Sequence, residues 1–202
     1  SSRPVLVQGG LEWLHLHASQ FCTCGVTKAG AVYCWGRDEW GQGGSGSIVV
    51  AVRPRPNAVV TLSSGFLSVA CSYWTCCSLG VNGQLWCWGD SDFGELGQGT
   101  ATGSGVPVRI MLFAGADKQV LVSTFTSVAA GFLHFCAIST SYEVWCWGSN
   151  SESQCGIPSS TTATVMLPTR VSSTPAFAVF VTSGVQHACA GNVSTLVCWG
   201  SN

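Results

Sequence analysis

The chain has 202 residues, long enough for a sizeable core, yet only 8% of them are charged where roughly 25% is usual. A formal net charge of −1 offers no basic field for nucleic acid, and no stretch approaches the ~18 uninterrupted apolar residues of a membrane span. Twelve cysteines, a high and even number, point to an oxidising compartment, either extracellular or at the cell surface.

From the N-terminus, a Val- and Pro-bearing run at residues 3–7 ("RPVLV") precedes an apolar run, "LEWLHLHAS", and a cysteine pair, Cys24 and Cys34, around the turn "KAG". Cys34-Trp35-Gly36 then opens a Gly-rich turn, "GRDEWGQGGSG", followed by "VVAVRPRP". The same order returns three times. "SVACSYWTCC" leads to Cys77 and Cys87 around "VNG", then Cys87-Trp88-Gly89, "GDSDFGELGQG" and "GVPVRIML". "SVAAGFLHFC" leads to Cys136 and Cys146 around "TSY", then Cys146-Trp147-Gly148, "GSNSESQCG" and "TVMLPTRV". "VTSGVQHAC" leads to Cys189 and Cys198 around "NVS", and Cys198-Trp199-Gly200 falls just before Asn202. Cut at one phase, the units run over about 1–45, 46–99, 100–157 and 158–202, within a single domain.

Val, Thr, Phe, Tyr and Trp crowd these runs while Gly, Asn and Ser punctuate them, so the expected structure is all β. A cysteine pair nine or ten residues apart around a turn reads as a hairpin, which sets the two side chains opposite one another. The expected disulfides are Cys24–Cys34, Cys77–Cys87, Cys136–Cys146 and Cys189–Cys198. Trp35, Trp88, Trp147 and Trp199 are expected to pack between units, each burying ~150–250 Å². The glycine lets the chain turn without a Cβ. Units of four short strands stacked on tryptophans describe a β-propeller of about four four-stranded antiparallel blades, stapled by disulfides. Cys22, Cys71, Cys76 and Cys155 remain. Cys76 and Cys77 must face opposite sides of a strand, so an inter-blade or inter-subunit role is expected for the four, with their partners open.

"LWCWGDSDFGELGQG", "VWCWGSN" and "GFLHFCAI" resemble repeats of the regulator of chromosome condensation family, and the cysteine-bearing form is similar to the secreted and Crinkly-type receptor propellers. The resemblance implies a propeller and says little about activity. Known members generally close seven blades where four units are counted. His134 and His187 match the family's histidine, whereas Cys22 and Thr75 replace it in the first two units. If the units close on themselves, or string into a fibre, residues 3–7 should be a strand paired with a far-end unit.

Chemistry is sparse. Gly41 to Gly46 satisfies G-x-G-x-x-G, but two prolines and no helical pattern follow, so a blade turn accounts for it better than a nucleotide site. Asp90, Asp92 and Glu95 lack calcium-loop spacing. His15 and His17 could form a metal pair on one strand face, but a packed position is the sounder expectation. His134 and His187 occupy equivalent positions and are expected to hydrogen-bond blade corners rather than act as bases. No catalytic, cofactor-binding or metal residue is assigned, and an enzyme is not expected.

An exchange factor for a small GTPase fits poorly with twelve cysteines and so little charge. The favoured reading is an extracellular structural or assembly module, a disulfide-rich unit of a surface coat or filament. Its partners would be copies of itself or other extracellular proteins. The alternative is a ligand- or protein-binding propeller of a receptor ectodomain or secreted inhibitor, using loop residues such as Arg37, Trp40 and Phe93. Glycans are expected at the Asn192 sequon and at Ser159, Ser160, Thr161 and Thr162.

Overall fold

The computed structural model describes residues 3, 6–7, 9–48, 52–114, 119–121 and 124–201. Every regular element in them is a strand. Blade 1 contains β1 (Trp13–Ala18), β2 (Cys22–Thr27), β3 (Val32–Arg37) and β4 (Val52–Ala58) in that order. Blade 2 contains β5 (Phe66–Cys71), β6 (Thr75–Gly80), β7 (Leu85–Gly89) and β8 (Ser104–Arg109). A short hairpin of β9 (Leu112–Ala114) and β10 (Gln119–Leu121) follows. Blade 3 contains β11 (Phe125–Ala130), β12 (His134–Ser139), β13 (Val144–Ser149) and β14 (Thr164–Arg170). Blade 4 has three strands, β15 (Phe180–Ser183), β16 (His187–Gly191) and β17 (Leu196–Gly200). Every pairing is antiparallel, and the order within each blade follows the sequence.

The Val- and Pro-bearing run after each Gly-rich turn pairs with the Cys-Trp-Gly strand before it, as Arg53 does with Gly36 and Val165 with Gly148. The four sheets therefore span 13–58, 66–109, 125–170 and 180–200, displaced from the repeat phase of the sequence. The first strands of successive blades lie side by side, β1 against β5, β5 against β11 and β11 against β15. Among the described residues no packing of that extent joins blade 4 back to blade 1, so the four blades form an open arc. The expected closing strand is not found at the described positions. Arg3, Leu6 and Val7 lie outside any strand, with Leu6 exposed, and Pro4 and Val5 fall outside the described residues.

The core lies between the blades. One apolar cluster fills the contact of blades 1 and 2 around Trp88, and another runs from blade 2 to blade 4 around Trp147. Strands β12 and β13 are buried at every position because blades cover both of their faces, which removes the usual polar alternation. The register places Cys24 opposite Cys34, Cys77 opposite Cys87, Cys136 opposite Cys146 and Cys189 opposite Cys198. Each of these pairs is joined as a disulfide. The glycine of Cys-Trp-Gly sits at a break in register with the outer strand, with φ of 109° at Gly36, 113° at Gly89 and 104° at Gly148. A Cβ at Gly89 would stand 2.2 Å from the carbonyl oxygen of Trp74, so only glycine fits this bulge.

Trp88, Trp147 and Trp199 take the inter-blade role. Trp88 and Trp147 are fully buried and Trp199 partly so. Trp35 does not. No blade precedes it among the described residues, and its ring instead lies 5.4 Å from that of Trp13 in its own blade.

Candidate aromatic corner-loop site

The loop from first to second strand turns each blade's corner close to the arc's inner edge. These corners carry Phe21 in blade 1, Tyr73 and Trp74 in blade 2, Phe132 in blade 3 and Val185 in blade 4. Two main-chain bonds tie them together: Tyr73 N–H donates to the Phe132 carbonyl at 2.8 Å, and Phe132 N–H to the Val185 carbonyl at 3.3 Å. Rotation from blade to blade thus lines up aromatic side chains that are far apart in sequence.

The result is a continuous row of rings. Phe21 stacks on Trp74 with centroids 4.6 Å apart and planes 12° from parallel. Tyr73 lies 5.1 Å from Phe21, 4.5 Å from Trp74 and 4.4 Å from Phe132. Trp40 extends the row past Trp74 at 6.5 Å. The Arg37 guanidinium sits 4.5 Å above the Phe21 ring, a cation–π contact, while its Nε approaches Glu39 at 3.9 Å. All these rings keep part of their surface in solvent, and Trp40 is 45% exposed. Beside them runs an open groove floored by Ser72, Gly131, Ser183 and Gly184 and walled by Tyr73 and Phe132. The row offers flat apolar area with charge at one end, a composition typical of protein-recognition surfaces.

Of the loop residues singled out in the sequence, Arg37 and Trp40 join this row, whereas Phe93 is exposed in the matching turn of blade 2. Phe21, Tyr73, Trp74 and Phe132 were not foreseen. Their shared signal is position, one or two residues before the corner residue Cys22, Thr75 or His134.

The other candidates resolve into packing. His15 and His17 serve strand packing: their Nδ1 atoms accept from the Val69 and Cys71 N–H groups at 3.3 and 3.1 Å, binding β1 to β5. Burial lowers the pKa of both, and His15 adds to the lowering at His17. His134 is buried against Gly131, where a Cβ would lie 2.0 Å from its Cε1. No hydrogen bond of full geometry reaches its ring nitrogens, although the His187 main chain stands close enough to act on the ring, so it chiefly fills the corner. Burial, and then nearby His187, lower its pKa to about 4.

Glu95 turns inward and accepts the Phe93 N–H at 2.9 Å, leaving its other oxygen unpaired. Burial raises its pKa to about 8. Gln42 and Gln154 make the same turn bond in blades 1 and 3, to the Trp40 and Glu152 N–H groups. Asp92 stays exposed. The Gly41–Gly46 segment is a blade turn beside Asp38, which accepts the Gly43 N–H and pairs with Arg53.

Cys71 and Cys76 are joined within blade 2, correcting the expectation that each faces another blade or chain, because adjacent strands place them directly opposite. Cys22 and Cys155 are buried free thiols. Cys155 fills the position of Leu96 and acts as a small apolar group, its thiol pKa raised by burial. Asn192 holds its own turn by accepting the Ser194 N–H, and Ser159, Ser160 and Thr161 are exposed, with Thr162 half-buried. Among the described residues no helix is long and apolar enough to cross a membrane.

Disulfide-stapled antiparallel blades, tryptophans between them and a Gly-rich turn after each hairpin define a β-propeller repeat protein. The chain belongs to the regulator of chromosome condensation (RCC1) repeat family, whose repeat profiles match residues 66–95 and 125–154, and 82–138 and 143–196. It is 28% identical over 156 residues to the human E3 ubiquitin-protein ligase HERC2, covering 74% of this chain and 3% of that one. It is 30% identical over 136 residues to the Arabidopsis thaliana ultraviolet-B receptor UVR8, covering 67% and 29%. Among solved structures, yeast RCC1 (Prp20), crystallised with Kap60 bound, superposes with a TM-score of 0.79 at 20% identity, covering 97% of this chain and 45% of that one. The ectodomain of the Physcomitrella patens receptor kinase CR4 superposes with a TM-score of 0.55 at 19% identity, covering 92% and 40%. The chain thus spans less than half the length of these relatives, in keeping with an open arc.

Proposed function

We propose that this chain is an exported protein-recognition module that binds a partner protein through its corner-loop face, without enzymatic chemistry. The row Trp40–Trp74–Phe21–Tyr73–Phe132 carries this reading. It is a part-exposed aromatic surface with Arg37 at one end, built on main-chain bonds between blades. Aromatic residues and arginine are the groups enriched where interfaces concentrate their energy. Five disulfides support an oxidising compartment. The fold likeness to a plant receptor ectodomain suits the same setting, as would glycans at Asn192 and Ser159 to Thr162.

The test is to pan a random-peptide display library on the folded protein. Selected peptides should compete with one another and bind Tyr73→Ala and Phe21→Ala at least about tenfold more weakly, a loss of roughly 1.4 kcal/mol, while Leu14→Ala on β1 binds as the wild type. Peptides indifferent to the row would remove this reading.

A second reading, assembly into a surface coat or filament, is favoured by one observation. Among the described residues strand β17 is the outer strand of a three-stranded blade with Leu196 exposed, and a strand added there from another chain would complete the blade. Sedimentation across a concentration series separates the two readings, since a monomer at all concentrations would dismiss the assembly.

A further inference from the structure

The sulfur atoms of Cys22, Cys24, Cys71 and Cys76 lie within 4.8 Å of one another in the buried contact of blades 1 and 2. Repetition divides the four. Cys24 belongs to the hairpin staple that recurs in every blade, so its role is already fixed. A four-thiolate metal centre would require opening that staple and is set aside. The other three cysteines have no counterparts. Thr75, His134 and His187 occupy the position of Cys22 opposite the bulge glycine. The facing pair Cys71 and Cys76 corresponds to Ala18 and Thr23, Ala130 and Phe135, and Ser183 and Ala188. Three cysteines special to one blade contact, one a thiol and two a disulfide, stand apart from the repeat, although the stapled Cys24 sulfur also lies 3.5 Å from that of Cys76.

We propose that Cys22, Cys71 and Cys76 form an exchange site, in which a disulfide moves between blade 2 alone and the boundary of blades 1 and 2. The Cys22 and Cys76 sulfurs are 3.9 Å apart, close to contact. The Cys22 thiolate attacks the Cys76 sulfur, the Cys22–Cys76 bond forms, and the Cys71–Cys76 bond breaks. Cys71 leaves as a thiolate and takes up the proton that Cys22 released. One disulfide and one thiol are present before and after, so neither oxidant nor reductant is consumed.

Local groups suit the step. Ser19 Oγ lies 3.3 Å from the Cys22 sulfur, where its hydroxyl can stabilise the thiolate against the burial that raises the thiol's pKa. The exchange ties β2 to β6 covalently across the boundary. It also transfers the free thiol from Cys22 to Cys71, which lines the groove beside Tyr73 and Phe132.

Peptide mapping tests this with the whole chain. The protein is held in mildly alkaline buffer without added thiol, quenched in acid with a maleimide, and digested with pepsin in acid. The expected result is a cross-linked species joining segment 22–34 to segment 71–87, with the label lost from Cys22 and gained on Cys71. In Cys71→Ser, folded with the same disulfide oxidant that closes the hairpin staples and takes the two electrons released, Cys22 and Cys76 should join, so that neither takes label. In Cys22→Ser no cross-blade species should form. Wild-type protein in which Cys22 is the one labelled member of Cys22, Cys71 and Cys76 at every time point, after unfolding in the acid quench and with Cys155 labelled throughout, would overturn the proposal. So would Cys71→Ser with both Cys22 and Cys76 labelled while the hairpin staples stay intact. Should Cys71→Ser not fold, the wild-type time course decides alone.

Discussion

The indole N–H of Trp147 donates to the main-chain carbonyl of Glu95 at 2.7 Å, joining blade 3 to the Gly-rich turn of blade 2. The relationship is periodic. Trp88 donates to the Gln42 carbonyl and Trp199 to the Gln154 carbonyl, each at 2.9 Å. Each motif tryptophan with a blade before it therefore supplies apolar area to the interface and satisfies a carbonyl in the preceding turn.

Graded truncation separates these contributions. Trp147→Phe keeps most of the apolar area but strands the buried Glu95 carbonyl, which should cost about 1–3 kcal/mol. Trp147→Ala adds a cavity and should cost about 3–5 kcal/mol. Trp35→Phe, with no blade in front of the tryptophan among the described residues, should cost under about 0.5 kcal/mol. Denaturant unfolding of the three variants checks the order. Equal losses at Trp35 and Trp147 would mean that the first blade is covered in solution.

Glu95 should make the protein less stable as pH rises. Its folded-state pKa of about 8 exceeds its ordinary value of 4.5, so the folded chain holds a proton that the unfolded chain releases. Stability from this group is full below pH 4.5 and declines as pH climbs towards about 8, by up to about 1.4 kcal/mol for each unit. Glu95→Gln restores the residue of the sister turns and removes the proton. The variant should gain on the wild type steadily across that window, as measured by unfolding midpoints at several pH values. A constant difference would show that Glu95 is ionised in the folded protein.

The histidines set the opposite limb. His15, His17 and His134 all have lowered pKa values, the last about 4 against an ordinary 6.5. The unfolded chain therefore binds protons first, and stability from these groups is full above pH 6.5 and falls as pH drops towards 4. For His17 the loss has a structural readout, because protonation of Nδ1 ends the bond from the Cys71 N–H. His17→Gln should flatten the acid limb, and amide exchange at Cys71 should quicken there in the wild type. An acid limb unchanged by His17→Gln would assign it to His15 and His134.

What could be read from the sequence was what repeats. A cysteine pair around a short turn must face across a hairpin, so four staples followed from spacing alone, and recurrence of Trp88, Trp147 and Trp199 marked the blade contacts. Trp35 was misplaced because a motif reports its own blade and not whether another stands before it. The partners of Cys71 and Cys76 are open in the sequence because four leftover cysteines can pair in three ways, and only register sets these two opposite each other. The aromatic row was hidden for a related reason. Phe21, Tyr73 and Phe132 are more than fifty positions apart in sequence, and blade rotation alone makes them neighbours.

The staple of blade 4 should open before those of the other blades. The hairpin disulfides close similar spans, with separations of 9 or 10 residues, so access rather than loop length decides which meets a reductant first. Cys24, Cys34, Cys77, Cys87, Cys136 and Cys146 are wholly buried between blades. Cys189 is half-buried and Cys198 exposed, because no blade stands against the far side of blade 4 among the described residues. Brief treatment with limiting thiol reductant, followed by alkylation and mapping, should label Cys189 and Cys198 first. Loss of this staple should destabilise blade 4 by about 2–3 kcal/mol, seen as faster amide exchange in β16 and β17 while blades 1 to 3 keep their protection. Uniform labelling of all four staples would contradict the burial difference. Protection of Cys189–Cys198 in the native protein would mean that its exposed face is covered in solution.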